Sequence, residues 1–358
     1  MINKKIYIVI LNYNTWQDAI ECIESVLNND YKEFQILLID NFSPNNSEDK
    51  FREWFEGKIN FETKNSFFQN QISSISKGPL PFVAYTANYS LKRNIENENL
   101  IYSDFIEVNG KACIKNPILF IQTGKNLGFA GGNNVVLRNF INSNENANIL
   151  LLNPDTFLDK HALRELINYV SPQTFLMGSK IMSYDSPNIL NSIGGNKLVK
   201  PFSGKNIFKI LTDYREINDL DYIYGAAVFL NTETLKLIGP IPEDYFLYWE
   251  ETDWCIHAKS KGVLLTSCPN SICYDKQGTS IGRGFLAEYF FTYNSMVFYK
   301  KHYKKFLISL FFFHLGRFFI QLIKLKYPQA KAIIYAIKDY ILRKRLSIKK
   351  DGSTCYES

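Results

Sequence analysis

The chain has 358 residues, 46% hydrophobic, 21% charged and 15% aromatic, with a formal net charge of +6. These values exclude a disordered polymer and leave room for one large domain or two ordinary ones. The excess charge gathers late, in KKHYKK, KLK and RKRLSIKK, a local patch suited to phosphate-bearing surfaces such as lipid or nucleic acid. The six cysteines are scattered and form no CxxC pair, so a reducing cytosol is the simpler reading.

In chain order, KIYIVILNYN reads as a first strand. Its apolar run before Asn12 is too short for a signal peptide and lacks a small-residue cleavage site. A helix is expected over 16–27, then the strand FQILLIDNFS ending at Asp40-Asn41, then a helix through Phe55. That βαβ unit favours a parallel sheet with ligands at the strands' carboxyl ends, where Asn12, Asn14, Asp40 and Asn41 stand. Residues 62–116 are Asn-, Ser- and Lys-rich and read as an insertion, with short strands near FVAYTA and IEVNGKACI.

Alternation resumes with ILFIQTGKN, a Gly-rich loop, and a helix starting near Gly132 or Asn133. NILLLNPD is the next strand and HALRELINYV the next helix; GVLLTSCP and SICYDKQGTS are read as two closing strands. From about Glu288 the pattern is helical to the end. Within it, FLISLFFFHLGRFFIQLIKLK approaches the length of a membrane span, but His314, Arg317 and Gln321 interrupt it. A charge near mid-bilayer costs about 2.5–3.5 kcal/mol. A helix lying on an interface is favoured over one packed on the protein's own core or a true span.

Three stretches carry chemistry. NLGFAGGNN (126–134) puts three glycines before a helix, suiting either a plain turn or a phosphate cradle, and matches neither the dinucleotide fingerprint nor a P-loop. In LLNPDT, Asp155 follows a buried strand; it is a turn acid or a ligand for a hard cation holding a diphosphate. EDYFLYWEETDWC places Glu250, Glu251 and Asp253 at a helix start, with Glu250 and Asp253 expected to share a face. Capping accounts for such acids, yet Phe246, Tyr248, Trp249 and Trp254 would wall a cleft in which a carboxylate's pKa rises toward that of a useful base.

Taken together with IVILNYN, LLIDNFSPNNS, GAAVFL and the closing P-x-x-x-x-x-x-K-x-G at 269–278, these motifs run in one known order. The chain resembles a family 2 glycosyltransferase of the GT-A fold, in the rhamnosyltransferase-like branch, over residues 5–300. The resemblance implies an α/β fold with a mostly parallel central sheet flanked by helices. Its domain would cover 1–290, with a nucleotide-binding half (1–125) and a metal and acceptor half (126–290), followed by a helical, basic tail (291–358). It implies that Asn12, Asn14, Asp40, Asn126, Gly128, Trp249, Glu250 and Asp253 contact substrates.

By the same resemblance Asp155 matches the last acid of an Asp-x-Asp metal motif, with Asn153 where that motif often has its first acid. Glu251 stands where the family has an aspartate base. Asp275 replaces a histidine and is the second metal candidate, for Mg2+ or Mn2+. The expected activity is inverting sugar transfer from a nucleotide donor, dTDP-rhamnose favoured over a UDP-sugar, to a lipid-linked glycan acceptor. The enzyme would sit at the cytoplasmic face of the membrane, contacting it through 306–350, with no nucleic acid partner. A sugar-binding or scaffold protein that has lost catalysis is the alternative from another class.

Overall fold

The computed structural model describes residues 5–72, 80, 82–86, 107–108, 111–112, 118–169, 174–199, 208–217, 220–276, 284–348 and 354–356. Much of the expected insertion at 62–116 therefore lies outside the described residues.

Strand β1 (Ile6–Asn12) is buried along its whole length. Ile6, Ile8 and Ile10 enter one core cluster, while Tyr7, Val9 and Leu11 enter another on the opposite face. Helices cover both faces, which is why the strand reads as a continuous apolar run. Helix α1 (Trp16–Leu27), β2 (Phe34–Asp40) and α2 (Ser47–Phe55) follow where the sequence pattern puts them. Beyond α3 (Ser66–Ile72), the FVAYTA segment forms β3 (Phe82–Thr86), which pairs in parallel with β6 (Ile118–Gln122) at the sheet edge. The other expected insertion strands are the small antiparallel pair β4 (Glu107–Val108) and β5 (Lys111–Ala112).

Helix α4 (Gly128–Asn142) starts at Gly128, earlier than its glycine content suggests. Gly132 lies inside it because a Cβ there would overlap the Leu11 side chain, so the glycine lets the helix lie close on β1. Strand β7 (Asn148–Leu152), the short β8 (Thr156–Leu158), α5 (Ala162–Tyr169), β9 (Phe175–Ser183) and β10 (Leu190–Ser192) come next. A separate small sheet holds β11 (Gly195–Leu198), β12 (Phe208–Ile210) and β13 (Tyr222–Ile223). Then β14 (Ala227–Asn231) leads into α6 (Thr232–Ile238), whose first turn is capped by Asn231 accepting from the Thr234 N–H at 2.8 Å. Helix α7 (Glu250–Ser260) and β15 (Leu264–Asp275) complete the core.

The two expected closing strands are one strand. Register shifts between Cys268 and Ile272, and Pro269 sits in that irregularity, where its missing N–H costs the ladder nothing. The main sheet runs β3-β6-β2-β1-β7-β14-β9-β15-β8, with β10 on β9. Pairing is parallel from β3 to β7, then β14 runs antiparallel between β7 and β9, so the C-terminal half is mixed. The carboxyl ends of β1, β2 and β7 share one edge.

The tail also departs from expectation. Helix α8 (Phe285–His302) straddles the anticipated boundary at 290, followed by α9 (Leu307–Ile323) and α10 (Tyr327–Ile341). The chain ends in a small antiparallel pair, β16 (Leu346–Ile348) and β17 (Thr354–Tyr356), instead of helix. Tail and core share apolar clusters in which Tyr245, Trp249, Phe298, Leu310 and Ile333 pack together.

Candidate active site

A cavity of about 710 Å3 opens at the carboxyl edge of the sheet, and four carboxylates line it: Asp155, Glu250, Glu251 and Asp275. Asp155 stands in the tight turn between β7 and β8, pinned where the Asn153 N–H donates to the Ala226 carbonyl at 2.9 Å. Asp275 ends β15, paired opposite Thr156. The Lys276 N–H donates to the Asp155 carbonyl at 3.1 Å, so the two acids lie side by side though 120 positions apart in sequence. Each is 6% exposed. The Tyr224 hydroxyl donates to Asp275 Oδ2 at 3.2 Å; burial, then the Asp275 charge, pushes that phenol's pKa upward, so it remains a donor.

This pair fits a hard divalent cation, since carboxylate oxygens are what Mg2+ and Mn2+ prefer. Among the described residues no group of three or more His, Cys, Asp or Glu converges. Any further ligands would have to be water or oxygens of a bound molecule.

Glu250 and Glu251 reach the cavity through an unusual turn. Tyr248 (φ 65°) and Trp249 (φ 79°) are consecutive non-glycine residues in the left-handed region, a costly arrangement that persists only where the surroundings impose it. Helix α8 imposes it here. Asn294 Nδ2 donates to the Leu247 carbonyl at 2.6 Å, and Trp249 Nε1 donates to the Phe291 carbonyl at 3.1 Å. From the other side, the Phe129 N–H donates to the Phe246 carbonyl at 3.1 Å. Gly128 (φ 70°) makes that approach possible, because a Cβ there would overlap the Phe246 carbonyl oxygen.

Burial pushes the Glu251 carboxyl up to about 7. Burial, then the neighbouring Glu251 charge, raises Glu250 further. One oxygen of each, Oε2, is buried without a hydrogen-bond partner. The pair therefore holds protons more tightly than exposed carboxylates do, and Glu251 is poised to exchange one near neutrality. Gly225 lines the cavity facing the Glu251 side chain.

Asn126, Gly128, Asp155, Trp249, Glu250, Glu251 and Asp275 thus line one cavity. The remaining sequence candidates do not. Asn12 and Asp40 are fully buried just behind it. Asn12 Nδ2 donates to Asp40 Oδ1 at 2.7 Å, and Asp40 also accepts from Ser43 and from Gln122 Nε2 at 2.9 Å. These bonds make Asp40 a brace for the loop after β2. Asn14 (φ 64°) lies in the neighbouring turn, its N–H donating to Ser43 Oγ at 2.9 Å.

Asp253 turns away from the cavity and receives Lys301 Nζ and His302 Nε2 at 2.6 Å each. Against the cost of burial, those bonds hold its carboxyl below the usual range. The acids of α7 that share the cavity are therefore Glu250 and Glu251, while Asp253, in the same first turn, ties α7 to α8. Trp254 likewise packs in the core, its Nε1 donating to the Gly239 carbonyl at 3.0 Å.

Among the lining residues that the sequence reading left out of the site are Asn41, Tyr224 and Arg317. Asn41 donates through Nδ2 to Asn126 Oδ1 (3.0 Å) and the Gly128 carbonyl (3.1 Å), joining β2 to the glycine loop. Its strand-end position was the signal. Tyr224 carried no signal beyond its place before GAAVFL. Arg317 enters from α9, paired with Glu288 and lying over the Phe291 ring at 4.8 Å. Its signal was a lone guanidinium in a Phe-rich helix.

Residues 7–70 match the family model described as glycosyl transferase family 2. Over that segment the chain is similar to family 2 glycosyltransferases. The chain is also similar to the low-salt glycan biosynthesis hexosyltransferase Agl10 of Haloferax volcanii, 24% identical over 201 residues, 51% of this chain. The match spans 62% of that relative's length. Among solved structures, the mannosyltransferase PcManGT of Pyrobaculum calidifontis, in complex with GDP-Man and Mn2+, is 12% identical with a TM-score of 0.49; the alignment covers 93% of this chain and 74% of that one. TarS 1–349 of S. aureus, in complex with UDP-GlcNAc, is 14% identical with a TM-score of 0.48, covering 94% and 80%.

Proposed function

We propose that the chain is an inverting GT-A glycosyltransferase that moves a sugar from a nucleoside diphosphate to a hydroxyl of a glycan acceptor. The observation that carries this is the shared cavity, with Glu251 raised to about 7 and the Asp155–Asp275 pair in its wall. Bound between those acids, Mg2+ or Mn2+ would neutralise the charge that develops on the leaving diphosphate. Asp155 and Asp275 would hold that cation at the diphosphate end, and Asn41, Asn126 and Gly128 would border the donor. Glu251 takes the acceptor hydroxyl's proton as its oxygen attacks the anomeric carbon from the face opposite the leaving group. The Tyr248–Trp249 turn fixes both carboxyls.

The order of motifs favours dTDP-rhamnose as donor. Calorimetric titration with dTDP and with UDP, each with and without Mn2+, is expected to show metal-dependent binding of dTDP. Metal-dependent binding of UDP alone would replace the rhamnose reading with a UDP-sugar one. Absence of both in a folded sample would leave the scaffold alternative.

The acceptor is read as lipid-linked because of α9. Lys304–Ile323 is long and apolar enough to cross a membrane by length and composition. Yet its two faces differ: His314 and Leu310 are buried inward, while Ile308, Phe312, Phe319, Ile320 and Ile323 are 50–81% exposed. At 100° per residue those five share one side. Exposed Lys304, Lys305, Lys324 and Lys326 flank them, matching anionic headgroups around an apolar insertion. The enzyme would thus rest on the cytoplasmic face of a membrane. Co-sedimentation with phosphatidylglycerol vesicles should be lost in the Phe312→Ser/Ile323→Ser double variant; undiminished binding would count against this seating.

A further inference from the structure

A buried ionic knot lies just behind the acid pair. Lys276 Nζ forms ion pairs with Asp18 and Glu21 of α1, its own side chain only 14% exposed and that of Glu21 only 3%. Glu21 Oε1 in turn accepts from the Tyr184 hydroxyl at 2.6 Å and from Thr63 Oγ1. Tyr184 closes the ring through its backbone, its N–H donating to the Asp275 carbonyl at 3.1 Å. The Lys276 N–H meanwhile donates to the Asp155 carbonyl at 3.1 Å. Helix α1, the loop before α3, the end of β9 and the end of β15 therefore meet at one lysine adjacent to Asp275.

A buried charge is retained only with compensation, and removing one partner of such a group is costly. Here the compensation does geometric work. Asp275 is paired to both β8 and β9, and the Lys276 side chain, anchored on α1, fixes the backbone immediately after it. Two carboxylates that must converge on one cation need placement to within a fraction of an ångström, and groups behind the ligands usually supply it.

We propose that Lys276, held by Asp18 and Glu21, is a positioning residue that sets Asp275 against Asp155 and so tunes the cavity's affinity for a divalent cation. This rests on the metal reading above. Lys276 touches neither donor nor acceptor in this role; it acts through Asp275.

The test measures Mn2+ uptake by loss of the free-ion electron paramagnetic resonance signal, with dTDP or UDP present, for the whole chain. Lys276→Met is expected to weaken Mn2+ by about 10–100-fold, the usual range for groups that orient metal ligands. Lys276→Arg should recover most of the loss, and Asp275→Asn should be at least as damaging as Lys276→Met. Glu21→Gln keeps an acceptor for Tyr184 while releasing one arm of the lysine. It decides the matter if Lys276→Met does not fold, and a several-fold weakening is expected. Wild-type protein that takes up no Mn2+ sinks the metal reading and this inference together. Wild-type uptake that Asp275→Asn abolishes but the Lys276 and Glu21 variants leave intact overturns the positioning role alone.

Discussion

Glu251→Gln should lower kcat by about 10²–10⁴-fold, the usual contribution of a positioned base. Metal-dependent nucleotide binding should be preserved. The amide keeps the shape of the side chain and loses only its capacity to take a proton. In the unaltered enzyme, activity should rise about tenfold per pH unit up to about 7 and then level off, as the carboxyl ionises. That apparent value belongs to the Glu250–Glu251 pair, since each carboxyl's charge opposes the other's.

Stability should move the other way. Burial raises Glu251 from its ordinary 4.5 to about 7, so the folded state binds protons more tightly than the unfolded chain across that window. Folding is therefore favoured below the lower value, and stability falls as pH climbs through the window. Glu251→Gln removes this liability, and its melting temperature at pH 8 should exceed that of the unaltered protein. Loss of turnover together with a gain in stability would mark Glu251 as a functional acid. Unchanged turnover would dismiss it as the base.

Asp155→Ala is expected to abolish the metal-dependent part of nucleotide binding. The weakening should reach about 100-fold or more, since losing a ligand outweighs the 10–100-fold typical of an outer partner. Binding without metal should change little, because the residues proposed to border the donor, Asn41, Asn126 and Gly128, are joined to one another between β2 and the glycine loop, apart from the β7–β8 turn that carries Asp155. Calorimetry in Mn2+ and in a chelator separates the two contributions. Equal binding by variant and wild type in Mn2+ would remove Asp155 from the metal site.

The sequence by itself determined the βαβ start, the helix at 16–27, the helix running through Phe55 and the α7 start near Glu250, because hydrophobic period and local turn chemistry are short-range. It also singled out Asp155, Glu250 and Glu251, each marked by its place at a strand end or helix start. Only the tertiary structure decided which acids meet. Asp275 joins Asp155 through strand pairing across 120 positions, and Asp253 is drawn off by Lys301 and His302 from a helix far along the chain. Spacing along one helix could not forecast that, because an acid's role depends on the charge packed against it. Nor could composition show that α9 has two faces, one carrying Arg317 to the cavity and one left apolar and bare. Local pattern selects the elements, while long-range pairing and burial choose which polar groups remain free to do chemistry.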